Sequence, residues 1–74
     1  MPKIYQYSQA ELDYVKRRAL FTDRERKVFT LFYLRGMSIN DVADKIQHSR
    51  ATVCRDLAKI RAKICERLKN YNSN

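Results

Sequence analysis

Ala51, Thr52, Arg55 and Lys59 are the residues whose types and spacing could do recognition chemistry. At about 100° per residue they fall on one side of a helix, together with Ala58 and Ala62. Small side chains allow close approach to a groove floor. An arginine can give two parallel N–H bonds to a guanine edge, a threonine can meet a base by its methyl or hydroxyl, and a lysine can reach a phosphate. A helix made only for solvent more often carries Glu and Lys at such positions. Val53, Leu57, Ile60, Ile64 and Leu68 recur at spacings of four, three, four and four, so they form the opposite, core-facing stripe. Ser49 to Leu68 therefore reads as one long basic helix with a buried face and a recognition face.

Other chemistries find little support. There is one His, no glycine-rich phosphate loop, and no pair of carboxylates in an apolar setting, so an enzyme is not expected. His48 and Cys54 are six apart without further ligands, which is not a zinc pattern. No catalytic residue, metal or cofactor is called for. Cys54 and Cys65 are eleven apart on one helix, about 16 Å along its axis, and cannot bridge there. Both should be small core or boundary residues.

The 74 residues carry a net charge of +8. Nucleic acid, membrane surface and acidic protein all suit that balance. Its distribution narrows the choice. Residues 49–74 hold seven basic and two acidic side chains, whereas residues 37–48 hold one and two. Charge gathered on the last helix is the footprint of a nucleic-acid reader, and a merely solvated basic helix is the plain alternative. No apolar run approaches the ~18–20 residues of a membrane span, and the N-terminus lacks a signal-peptide core. A membrane is thus not an expected partner, and a cytoplasmic, nucleoid-associated location is.

One glycine and one proline leave little punctuation for strands, so the expected fold is all-α: four helices in one domain spanning residues 1–74. Residues 1–7 form an arm. Ser8 with Glu11 is a capping box, with Tyr7 and Leu12 as a hydrophobic staple, and starts a helix over about 8–20. Its apolar stripe is Leu12, Val15 and Ala19, continued by Leu20. Thr22 with Glu25 is a second capping box and starts a helix over 23–35. Val28 to Leu34 is apolar nearly all round, which marks the central scaffold. Gly36 ends it as a left-handed residue. Ser38 caps a short helix over 39–46. After a turn at Gln47 and His48, Ser49 caps the long C-terminal recognition helix, 50–69, and the tail 70–74 frays. A short helix, a tight turn and a longer basic helix make a helix-turn-helix.

The segment FTDRERKVFTLFYLRGMSINDVADKIQHSRATVCRDLAKIRAKI resembles the DNA-binding fourth domain of bacterial sigma factors and the related LuxR-type domains. The resemblance rests on T-x-R-E-R-x-V at Thr22 to Val28, R-G-M-S at Arg35 to Ser38, I-x-D-V-A at Ile39 to Ala43, and S-R-A-T-V at Ser49 to Val53. Small stand-alone phage and mobile-element regulators also look like this. The resemblance implies that Ser49, Arg50 and Lys59 touch phosphates, that Ala51, Thr52 and Arg55 face base edges, and that Arg24 and Arg26 lie near the DNA backbone. Glu25 matches an acidic position of the motif and is read first as a cap. The chain departs from the pattern where a glycine and an apolar residue would stand at Gln47 and His48. Gln47 should then accept a positive φ, and His48 reads as a turn residue.

A sequence-specific regulator that binds double-stranded DNA is the leading expectation. A module this small buries only about 600–1,000 Å² on DNA, so it needs a second copy or a tether. A homodimer would read an inverted repeat; Tyr14, Tyr33 and the end of the last helix are candidates for its surface. The alternative is an adaptor for RNA polymerase that uses apolar surface on Val28 to Leu34, unless the N-terminal helix covers it. A DNA-packaging or recombination accessory protein would share the same motif.

Overall fold

The computed structural model describes residues 7–72. They form α1 (Gln9–Arg18), α2 (Asp23–Phe29), a π-helical turn (Thr30–Leu34), α3 (Ile39–Ile46) and α4 (Arg50–Asn72). The expected all-α, four-helix architecture is the one observed, and no strand occurs among the described residues. The expected arm falls outside the described residues, except for Tyr7.

Both capping boxes close as the sequence demands. Ser8 N–H donates to Glu11 Oε1 at 2.9 Å and Glu11 N–H to Ser8 Oγ at 3.1 Å. Thr22 and Glu25 repeat the arrangement at 3.0 and 3.1 Å. Each box satisfies donors that a helix start leaves open. α1 stops at Arg18, two residues before the expected end, because Ala19 turns to extended backbone (φ −74°, ψ 142°). That turn breaks the helical periodicity. Leu20, expected on the core stripe, is instead 79% exposed, and Phe21 takes the buried place with its ring 5.1 Å from that of Phe29.

The helix expected over 23–35 changes winding in its second half. Arg35 N–H donates to the carbonyl of Thr30, five residues back, and this wider turn runs through Leu34. Met37 N–H then reaches the Leu31 carbonyl at 3.0 Å while Gly36 adopts φ +75°. Glycine adopts that left-handed conformation without the strain a Cβ would bring. Ser38 Oγ accepts from Asp41 N–H at 3.1 Å and opens α3. Gln47 closes α3 in the left-handed region at φ 60°, ψ 48°, as its place in the turn requires.

α4 is the spine against which α1, α2 and α3 all pack. Val53, Leu57, Ile60, Ile64 and Leu68 are its buried stripe. Ile60 and Ile64 are fully buried, so cutting either to Ala would cost roughly 2–5 kcal/mol, a large part of the stability of so small a domain. Val28, Phe29, Phe32 and Tyr33 are buried in the same core. Tyr33, a candidate for a dimer surface, is only 8% exposed and touches the rings of Tyr7, Phe29 and Phe32. α4 also outlasts its expected end. α4 runs to Asn72, where Tyr71 sets its ring 4.7 Å from Tyr14 and the Arg18 guanidinium covers the same Tyr14 ring at 4.8 Å; the end of the tail expected to fray, residues 73–74, falls outside the described residues. Cys54 and Cys65 are free thiols and both exposed, not boundary residues of the core. The five branched side chains of α4 fill the stripe and leave them no place in it.

Candidate nucleic-acid interface

The outer face of α4 begins at Ser49, whose Oγ accepts from Thr52 N–H at 3.2 Å and caps the helix. Ala51, Arg55, Ala58, Lys59 and Ala62 are exposed in a row beyond it, and Thr52 is half-buried. Neither Arg55 nor Lys59 forms an ion pair among the described residues. Thr52 Oγ1 lies 3.1 Å from Ser49 Oγ. The Thr52 hydroxyl is thus engaged at the cap. The result is a convex surface of small side chains and two exposed cations, narrow enough for a major groove about 12 Å wide.

The one carboxylate in this part of α4 is turned away from that face. Asp56 is 2% exposed and accepts two bonds from Arg24, Nε to Oδ2 at 2.8 Å and Nη2 to Oδ1 at 3.2 Å. Arg24 is thereby fixed across α2 and α4, with Nη1 outside the fork. The hydrogen bond and the charge of Asp56 raise its already high pKa, so the guanidinium stays charged. A second brace lies two turns further along α4. Lys63 Nζ donates to Glu25 Oε1 at 2.6 Å and to the Leu20 carbonyl at 2.8 Å, and it sits 5.7 Å from the centre of the Phe21 ring. Burial alone would push the Glu25 carboxyl up. The Lys63 hydrogen bond, the Thr22 N–H and the charges of Lys63 and Lys59 outweigh burial and hold it below the ordinary glutamate value. Lys59 is therefore in electrostatic reach of the α2 start.

The structure does not gather all the expected contact residues on one face. Ala51, Thr52, Arg55 and Lys59 share the outer side of α4, and Arg24 borders it through Asp56. Arg50 lies toward α3 and lines an open groove of about 730 Å³ with Ser38, Asn40 and Arg61 among its walls. Arg26 lines another groove, between α2 and α3. His48 is exposed in the turn. Asp56, Lys63 and Arg61 carry structural or charge roles that sequence reasoning missed. The signal available for Asp56 was that it is the one acidic residue among the first four turns of a basic helix.

No group of three or more His, Cys, Asp or Glu that could hold a metal occurs among the described residues. No helix is long and apolar enough to cross a membrane, again among the described residues.

A family model described as ECF sigma factor matches residues 10–70, which takes in nearly all of α1 and of α4. No curated protein and no solved structure matches the chain. The match covers the capping box of Thr22 and Glu25, the turn at Gln47 and the whole outer face of α4. With four helices in this order and a sigma-type helix-turn-helix between α3 and α4, the chain belongs to the ECF sigma factor family.

Proposed function

We propose that this chain is a sequence-specific regulator of transcription that binds double-stranded DNA and reads the major groove with the helix starting at Ser49. Family membership supports a sigma-type role at DNA and RNA polymerase. The observation that carries the finer reading is the outer face of α4. Arg55 and Lys59 are exposed there without ion pairs among the described residues, while the neighbouring carboxylate of Asp56 is buried and neutralised by Arg24. Arg55 would read a guanine edge, and Ala51 and the Thr52 methyl would lie against thymine methyls. Ser49, Arg50 and Lys59 would hold phosphates. Arg24 would offer Nη1 to the backbone from its fixed position, and Arg26 would reach it from the adjoining groove.

Selection of the purified chain on a random duplex library at moderate salt tests this. An enriched motif containing G next to T, lost in Arg55→Ala, is the expected result. Absence of any enriched motif would overturn the claim of unaided sequence reading. An inverted repeat would mean a homodimer, with half-sites about 10 base pairs apart.

Association with RNA polymerase is the second reading, and the family match favours it. The apolar surplus of Val28 to Leu34 lends it little support. Val28, Phe29, Phe32 and Tyr33 are spent in the core, and only Leu31 and Leu34 remain half-buried. α1 itself packs on α4, while Tyr7 and Phe21 at its two ends meet the aromatic residues of that stretch. Co-purification of the tagged chain with polymerase is the check, and retention of polymerase is the expected result.

A further inference from the structure

The groove between α2 and α3 has a chemistry distinct from the α4 face. Its floor is Thr30, Leu31 and Ile46, all half-buried. Its rim is Arg26, Lys27, Arg35 and Lys45, all exposed. Among the described residues no carboxylate and no residue of α4 lines it, and none of the four cations forms an ion pair. The open volume is about 520 Å³. Lys27, Leu31 and Arg35 follow one another at a spacing of four along α2 and the π-helical turn, with Thr30 between. They form a ridge beside Lys45 and Ile46 of α3.

We propose that this groove is a docking surface for an acidic amphipathic helix of a protein partner. An apolar anchor of that helix would enter over Leu31 and Ile46, and its carboxylates would meet Lys27, Arg35 and Lys45. Two features select this occupant. Lys27, Arg35 and Lys45 pair with no carboxylate among the described residues, which suits an anionic ligand. A sugar-phosphate backbone would use the cations but has no use for an apolar floor, whereas a helix laid in a groove uses both, with anchors at i, i+3, i+4 and i+7. The π-helical turn contributes as well. Leu31 lies half-buried in that turn, while its neighbours Phe32 and Tyr33 are buried in the core. The proposal does not depend on the reading of DNA by α4.

The probe is a synthetic helical peptide of about 16 residues with Leu at i, i+3, i+4 and i+7 and Glu elsewhere. A counterpart carries Lys in place of Glu. Both are titrated into the whole isotope-labelled chain by NMR, and a short duplex is titrated separately. The Glu peptide should shift the amide signals of Lys27, Leu31, Lys45 and Ile46, and the Lys peptide should leave them in place. Lys27→Glu combined with Lys45→Glu should weaken the Glu peptide at least tenfold while duplex affinity changes less than threefold. Leu31→Asp should weaken it similarly, and the surface double variant stands in if that substitution disturbs folding. Shifts centred on Arg55 and Lys59, or an affinity unmoved by the double variant, would overturn the proposal. So would a duplex that shifts Lys27 and Lys45 and loses tenfold in affinity in the double variant, which would assign the groove to nucleic acid. Because peptide and duplex are read separately, failure of this surface and failure of the α4 reading give different patterns.

Discussion

Arg24 grips Asp56 through a two-pronged fork, Nε to Oδ2 at 2.8 Å and Nη2 to Oδ1 at 3.2 Å, across 32 residues of chain. A lysine keeps the charge but cannot make both bonds from one plane. Arg24→Lys should therefore lower the melting temperature by several degrees while leaving the salt dependence of DNA binding unchanged. Thermal unfolding and a salt titration on one duplex measure the two effects. A loss of salt dependence without a loss of stability would mean that the fork to Asp56 is incidental.

Glu25 gives stability a defined dependence on pH. Its folded pKa is depressed below the ordinary value, so its contribution is fully present above that value and is lost as pH falls through the folded one. Glu25→Gln should cost about 1 kcal/mol near neutrality, a figure kept small by solvent screening at partly exposed Lys63. The gap to the parent chain should close on acidification below the ordinary glutamate range. Urea unfolding at a series of pH values tests this, and a constant gap would remove the Lys63 bridge as its cause.

Gln47 pays a conformational cost for the turn. A residue with a Cβ held at φ 60° is disfavoured by about 1–2 kcal/mol, and glycine escapes most of that. Gln47→Gly should raise the melting temperature by about 4–8 °C per kcal/mol recovered. An unchanged or lower value would show that the Gln47 side chain makes a compensating contact.

Arg55 and Arg50 should separate specificity from affinity. Arg55→Ala should narrow the gap between the best duplex and an unrelated one by about 1–3 kcal/mol. Arg50→Ala should weaken binding to both alike and reduce the salt slope by about one. Equal loss on every sequence for Arg55→Ala would remove it as a base reader. An unaltered slope for Arg50→Ala would leave that side chain to the groove it shares with Asn40 and Arg61.

What could be read from the sequence was mostly local. Ser8 with Glu11 and Thr22 with Glu25 announce their helix starts because each cap is closed by residues three apart. Gly36 and Gln47 mark their turns because the backbone there must be left-handed, and the apolar stripe of α4 follows from its spacing alone. What escaped was set by distant partners. Nothing near Asp56 signals that Arg24 will bury it, and nothing near Tyr71 signals that Tyr14 will hold the helix end. Leu20 fits an apolar stripe until the extended Ala19 turns it outward. Cys54 and Cys65 lie close to the stripe in angle but lose the interior to larger neighbours. The same limit applies to the contact face. Helix angles group Ala51, Thr52, Arg55 and Lys59 correctly on one side of α4, yet they cannot tell that Arg50 and Arg26 open onto two different grooves.

Lys63 closes a loop of 43 residues onto the Leu20 carbonyl and meets Glu25 on the way, 38 residues back. The middle of α4 and the junction between α1 and α2 are therefore fastened by the same ammonium group. Opening either one breaks the contacts of both to that ammonium, so removing it should lower the exchange protection of the two segments together.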